Sequence, residues 1–334
     1  MLELPIVIPK YQTIPRFTSG LAILYAWDKE IADAWVANNC ISAVFIEYIE
    51  NPSRLFLLPM YTLLNCCLFD VYRYPYKKIG NMNEFIEDLL SDGFYLSTFI
   101  DAFYLPSYVA VYKESHSCHQ ILIYGKSGNS LKVADHIIGG DGTFRIFEVE
   151  YSMFYESMVS AHEVYLNKMT NSADIYAIRV KKELANYHFS SKALKSSLAN
   201  YLGSEIIIGN NWPNEMEYFG NSFGYSALLR VLNYFKDNLY NYHFTYGAIS
   251  FVRLAHELYT HVSIVLLASK MSKCKKLIQM AEMNLRNSLL MRNSLLKFAW
   301  SGDWSRSGFV LNDLESIINS DHAICSGLYE SIIV

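Results

Sequence analysis

The chain has 334 residues, of which 52% are hydrophobic and 18% are charged. This composition excludes an intrinsically disordered protein, and the length allows two domains of ordinary size. The formal net charge of −4 argues against a nucleic-acid partner, because contacts to phosphates need clustered Lys and Arg.

The sequence predicts a cytoplasmic protein with no membrane segment. The N-terminus lacks the basic region and long apolar stretch of a signal peptide. The longest apolar run, residues 55–69, is interrupted by Pro59 and Asn65 and is shorter than the roughly 20 residues that span a bilayer. The six cysteines show neither paired Cys-x-x-Cys spacing nor the density of a disulfide-bonded scaffold, so we expect reduced thiols.

A helix is predicted over residues 40–48, where apolar residues recur at helical spacing. Asn38 and Asn39 stand before it as candidate caps, so Cys40 is expected at the helix N-terminus. That end of a helix favours a thiolate through its unpaired N–H groups and its positive dipole end. The alternative is that Cys40 is a small buried hydrophobic residue.

Further along, residues 83–90 form a short predicted helix that Gly93 ends. A hairpin follows: two alternating segments, one beginning with His119 and one ending with Asp135, flank a turn at 125–129. The two ends of a hairpin meet at one edge of a sheet. We therefore expect the carboxylate of Asp135 to reach the imidazole of His119.

The fold class predicted is α+β, with an antiparallel sheet in the N-terminal half. The chain is predicted to divide into an N-terminal domain, 1–150, and a mainly helical domain, 151–334. The helical segments expected in the second domain are 152–169, 191–203, 220–237, 245–270, 273–298 and 311–319.

A cysteine, a histidine and an aspartate in this arrangement suit nucleophilic acyl chemistry. The acid accepts a hydrogen bond from one ring nitrogen, and the other nitrogen takes the thiol proton. Cys40 is the predicted nucleophile, His119 the base and Asp135 the orienting group.

The motifs Asn39-Cys-x-Ser-Ala43, His119-x-Ile-Leu-Ile-Tyr-Gly125 and Val133-Ala-Asp135 resemble the papain-like clan that includes bacteriocin-leader peptidases. With residues 101–106, His116-x-x-His119 and the helical second half, the chain is similar to the butirosin-biosynthesis H-type acyltransferases and related amide-forming enzymes of non-ribosomal peptide pathways. The resemblance implies a papain-like fold, with residues 1–150 as the catalytic domain and residues 151–334 as a helical domain that covers the site and shapes the acceptor pocket. It also implies that Cys40 takes an acyl group from the phosphopantetheine thioester of a carrier protein and passes it to a small amine.

Several site residues complete this expectation. Papain-like proteases carry an oxyanion glutamine six residues before the cysteine, where this chain has Ala34. The Cys40 N–H with the side chain of Asn38 or Asn39 is the substitute that we expect. Asp101 with Tyr104 is predicted to bind the amine, because a carboxylate near an aromatic ring holds a cation. His116 is predicted to contact the substrate or to support a catalytic residue from behind. A turn-starting Asp101 and a loop His116 are the structural alternatives.

Other signals are weaker. His256 and His261 lie five residues apart, not the four that a His-Glu-x-x-His zinc helix needs, so no metal is predicted. The only basic run, Lys270 with Lys273, Lys275 and Lys276, is a solvated face or a docking site for an acidic carrier or a coenzyme phosphate.

Three functions remain open from the residues. The first is an amide-forming acyltransferase with no cofactor beyond the carrier's phosphopantetheine. The second is a cysteine peptidase or thioesterase. The third is a non-catalytic papain-like binding module, and the sequence also leaves a homodimer open.

Overall fold

The computed structural model describes residues 2–12, 15–46, 54–57, 68–137, 143–165, 174–204, 222–239, 245–303 and 307–333. The chain divides into two compact units, and each combines two stretches of sequence. The first unit comprises Met1–Lys29 and Leu63–Asn186, and the second comprises Glu30–Thr62 and Tyr187–Val334. The boundary expected near residue 151 lies inside the first unit, where a strand that ends at Glu150 runs directly into a helix.

A seven-stranded antiparallel sheet forms the centre of the first unit. Its strands are β1 Leu2–Glu3, β4 Phe69–Pro75, β5 Tyr95–Asp101, β6 Cys118–Ser127, β7 Ser130–His136, β8 Phe144–Glu150 and β9 Asp174–Val180. Six of them follow the spatial order β4-β9-β5-β6-β7-β8, and β1 pairs with the far end of β6.

The predicted hairpin is confirmed as β6 and β7, but its turn is shorter than expected. Ser127 pairs with Ser130, so only Gly128 and Asn129 form the turn, and Gly128 takes a positive φ of 56°. Gly125 belongs to β6 and lies at a bulge in the pairing with β7. A Cβ atom there would lie 2.8 Å from the carbonyl oxygen of Leu2, so β1 can approach only because residue 125 is glycine.

Among the described residues, the α-helices of the first unit are α1 Pro15–Trp27, α3 Met82–Ser91 and α4 Tyr151–Ser160. The helix predicted over 83–90 is confirmed as α3, whose first N–H groups bond to the Asn81 side chain. Gly93 follows it with a φ of 80°. The helix predicted over 152–169 is found as α4 and a π-helical turn, Ala161–Tyr165, and residues 166–169 lie outside the described residues.

One face of the sheet and helices α3 and α4 enclose the main core of this unit. Alternate residues of neighbouring strands supply that face, because successive strand side chains point to opposite sides. Each fully buried aliphatic side chain stabilises the fold by about 1.5–3 kcal/mol. The core side chains from the strands include Leu96, Ile100, Ile121, Ile123, Leu131, Val133 and Ala177.

The second unit is mostly helical. Its helices are α2 Lys29–Asn39, α5 Ser191–Gly203, α6 Tyr225–Asn238, α7 Thr245–Met271, α8 Lys275–Ser301 and α9 Gly308–Ser331. A three-stranded sheet in the order β10-β2-β3 completes it, from Ser222–Phe223, Ala43–Ile46 and Arg54–Leu57. The C-terminal helices predicted from periodicity are confirmed, with two differences in their bounds. Helix α6 begins at Tyr225 and not at residue 220, and α9 extends beyond both ends of the predicted segment 311–319.

The predicted fold class is confirmed at its coarser level. The N-terminal half contains the antiparallel sheet, and most helices of the described residues lie in the C-terminal half.

Candidate active site

The predicted pairing of His119 and Asp135 is present in the first unit. His119 is the second residue of β6 and Asp135 the sixth of β7, and the hairpin brings both to one end of the strands. The Nδ1 atom of His119 lies 2.5 Å from Oδ2 of Asp135. The carboxylate is fully buried, whereas the imidazole keeps 20% of its surface exposed. A buried acid thus holds a histidine that solvent can reach.

Two further donors fix the carboxylate. The Tyr108 hydroxyl donates to the same Oδ2 atom, and the backbone N–H of His136 donates to Oδ1 at 2.7 Å. Burial, together with the negative charge of Asp135, raises the pKa of Tyr108 well above its ordinary value. The hydroxyl therefore stays protonated and keeps donating. The sequence does not predict the hydrogen bond between Tyr108 and Asp135, because Tyr108 lies in a turn region with no periodic pattern.

The arrangement fixes which nitrogen of His119 can act as a base. An ionised carboxylate only accepts hydrogen bonds, so Nδ1 carries the proton in the neutral ring. Nε2 then has its lone pair available to take a proton from a reacting group. The Tyr108 ring also lies edge-on to the imidazole, with 5.9 Å between centroids, and limits its rotation.

A second histidine–aspartate pair lies near by in sequence. Nδ1 of His116 is 2.7 Å from Oδ2 of Asp101, which is buried and also accepts from Ser160. Burial alone would raise the pKa of Asp101, but the hydrogen bonds from His116, Ser160 and two backbone N–H groups outweigh it and lower that pKa. The carboxylate is therefore ionised at neutral pH.

This geometry bears on the predicted substrate contacts. His116 is half exposed and stacks on Phe103 with 4.3 Å between ring centroids, and Tyr104 lies beside it at 6.2 Å. Half of the His116 side chain is thus in contact with solvent. Asp101, by contrast, is already surrounded by its own donors, so a substrate amine would have to displace His116 or Ser160 to reach it.

The prediction that Cys40 opens a helix is wrong. Helix α2 ends at Asn39, and the Cys40 N–H donates to the Val36 carbonyl at 2.9 Å. The following apolar residues form β2, because a short continuous apolar run suits a buried strand as well as a helix. Cys40 thus lies at the negative end of a helix dipole and is fully buried. This position does not stabilise a thiolate.

The predicted oxyanion donors have structural partners. The amide of Asn38 donates to the Tyr187 hydroxyl and the His188 carbonyl, both at 3.2 Å, and its oxygen accepts from the Ser190 N–H. The amide of Asn39 donates to Tyr187 at 3.1 Å and to its own helix. Both side chains hold the segment that leads into α5, so an oxyanion role would require these bonds to break.

The predicted residues fall into different units. His119, Asp135, Asp101, Tyr104 and His116 belong to the first unit. Cys40, Asn38 and Asn39 belong to the second.

Two other described cysteines are unsuited to act as thiolates at neutral pH. Burial, with the charge of Asp101, raises the pKa of Cys118 to about 11. Burial and the neighbouring Asp321 raise the pKa of Cys325 as well. Cys325 belongs to a fully buried cluster in which Asp321 accepts from Tyr201 at 2.5 Å and lies 3.1 Å from His261. The hydrogen bonds of this cluster connect helices α5, α7 and α9.

No known protein family matches the chain, and no curated protein matches its sequence. Within the described residues, no three His, Cys, Asp or Glu side chains form a group that could hold a metal ion. None of the helices in the described part of the chain combines the length and the apolar composition needed to cross a bilayer.

Proposed function

We propose that the chain is a cysteine-dependent acyltransferase of papain-like architecture that forms an amide in peptide natural-product biosynthesis. The observation that carries this proposal is the hydrogen-bonded set of His119, Asp135 and Tyr108. A buried acid that orients a partly exposed imidazole is the arrangement that acyl-transfer enzymes use to move protons. We propose that the reaction takes place in the cytoplasm, because the spacing of the cysteines predicts reduced thiols.

The chemistry has two steps. The Cys40 thiol attacks the carbonyl carbon of an acyl group on the carrier's phosphopantetheine, a new thioester forms, and the carrier thiol leaves with the proton. An amine then attacks the acyl-enzyme, the C–N bond forms, and the cysteine sulfur departs. Nε2 of His119 takes the proton that the amine loses and returns it to the sulfur.

The burial of Cys40 sets a requirement for this proposal. A thiol with no exposed surface cannot reach a carrier-bound acyl group, so the second unit has to open around Cys40 for the first step. A thiol-directed reagent tests this directly. Labelling of Cys40 in the native protein, faster when the acyl donor is absent than when it is bound, is the expected result.

The decisive experiment incubates the protein with an acyl-loaded carrier and records its intact mass. Wild type is expected to gain one acyl group, and Cys40→Ala none. His119→Ala is expected to slow the transfer to an amine, whereas Lys192→Ala, which removes an exposed side chain on α5, should not. An unchanged acyl adduct in Cys40→Ala would refute the proposal.

A second function is favoured by one observation, the burial of Cys40 at the C-terminal end of α2. In a non-catalytic papain-like binding module the thiol is only a small core side chain. This alternative predicts that Cys40 resists alkylation until the protein unfolds. It also predicts that no acyl adduct forms with any donor.

A further inference from the structure

Helix α8 exposes an unusual combination of side chains. One side of it packs against α7 and α9 within the second unit. On the other side Trp300 is 95% exposed, Met283 is 68% exposed and Leu290 is 56% exposed. We call this surface the α8 outer face and define it by Met283, Arg286, Leu290, Asn293, Lys297 and Trp300. Large apolar side chains exposed on one side of a helix indicate a surface that binds another molecule.

The same helix is basic in an acidic chain. Residues 275–301 contain five Lys or Arg and one acidic residue, Glu282, whereas the whole chain has a net charge of −4. Glu282 is neutralised by Lys270 of α7 at 3.2 Å. In the part of the chain that the structure describes, neither Arg286 nor Lys297 has an ion-pair partner. The α8 outer face therefore carries positive charge that a partner can neutralise.

The spacing on this face favours a helical partner. Met283, Leu290 and Lys297 recur at seven residues, and so do Arg286, Asn293 and Trp300. Residues seven apart lie on the same side of a helix, so a second helix laid along α8 can contact all six side chains. The 27 residues of α8 span about 40 Å at 1.5 Å per residue, which is room for several turns of a partner helix.

The order of side chains across the face distinguishes two classes of partner. At 3.6 residues per turn, Arg286 and Lys297 lie along the middle of the α8 outer face, with Met283 and Leu290 on one side and Asn293 and Trp300 on the other. A helix that lies in a membrane surface has the reverse order, with its apolar residues in the middle. Two copies of this basic face would repel each other. An acidic protein helix satisfies both the charge and the spacing.

We propose that the α8 outer face docks an acidic helix of the acyl carrier protein. This inference rests on the proposed function for the identity of the partner. Acidic side chains of the carrier pair with Arg286 and Lys297, and its apolar residues cover Met283, Leu290 and Trp300. Docking through α8 gives the enzyme its preference for a carrier-bound donor over the same acyl group on free pantetheine.

The test measures binding and transfer separately. An acidic holo-carrier protein is titrated against wild type, Arg286→Glu, Trp300→Ala and the control Lys192→Glu, which reverses an exposed charge on α5. Acyl transfer is then measured from the loaded carrier and from the matching pantetheine thioester. Both α8 variants should weaken carrier binding about tenfold or more. They should slow transfer from the carrier and leave transfer from pantetheine unchanged, while Lys192→Glu behaves as wild type.

Three outcomes would overturn the docking proposal. The first is a wild type that does not bind the holo-carrier, and the second is an α8 variant that binds it as tightly as wild type. The third is binding to phosphatidylserine–phosphatidylcholine vesicles that depends on Trp300, without carrier binding. If wild type transfers the acyl group from neither donor, the proposed acyl transfer is refuted. The titration with the holo-carrier still tests the docking proposal in that case.

Discussion

Removal of the Tyr108 hydroxyl tests whether the buried carboxylate of Asp135 depends on its third donor. Tyr108→Phe keeps the ring that packs against Phe147 and His119 and deletes only the oxygen that donates to Oδ2. A hydrogen bond to a charged group contributes about 1.5–3 kcal/mol, against about 0.5–1.5 kcal/mol for a neutral pair. We therefore expect the variant to lose about 2 kcal/mol of unfolding free energy.

The matched control is Tyr95→Phe. Tyr95 is also buried, but its hydroxyl donates to the neutral carbonyl oxygen of Pro5 at 2.5 Å. Urea denaturation of both variants at pH 7 is expected to show a loss for Tyr108→Phe that is about 1 kcal/mol larger. Equal losses in the two variants would refute the claim that Tyr108 stabilises an ionised acid.

Two more predictions concern the stability of the first unit. Burial lowers the pKa of His162 from 6.5 to about 4, so between these values the unfolded chain binds a proton that the folded chain excludes. Stability from this group is present above pH 6.5 and is lost as pH falls; between pH 7 and pH 5 unfolding free energy should drop by about 2 kcal/mol. A His162→Gln variant should lose that part of the pH dependence. A variant whose unfolding free energy changes with pH as in wild type would contradict this prediction. Gly125→Ala should cost about 1–3 kcal/mol in thermal or urea unfolding, because its Cβ would meet the β1 backbone. Gly80→Ala, where the Cβ meets nothing within 4 Å, should be near neutral, and similar costs at both positions would refute this reasoning.

The hairpin was predictable because its signal is local. Alternating apolar residues and a glycine-containing turn define β6 and β7, and the geometry of any hairpin brings His119 and Asp135 to one edge. The structure adds the bulge at Gly125 and the pairing of this residue with Glu3 of the distant strand β1. Contacts between residues far apart in sequence leave no periodic signal.

The surroundings of Cys40 were not predictable for a different reason. Residues 43–46 are a continuous apolar run, and such a run fits a helix and a buried strand equally well. Pairing with β3 and β10 decides in favour of the strand. The discontinuous units likewise result from tertiary contacts, since residues 30–62 belong with the C-terminal helices and not with their neighbours in sequence.

The most direct test of the acid–base claim is the rate of acyl transfer by Asp135→Asn. The asparagine keeps the shape of the side chain but removes the charge that selects the Nδ1–H form of His119. With an acyl-loaded carrier and an amine, single-turnover product formation should fall about a hundredfold or more relative to wild type. Transfer at the wild-type rate by a correctly folded Asp135→Asn protein would contradict the account.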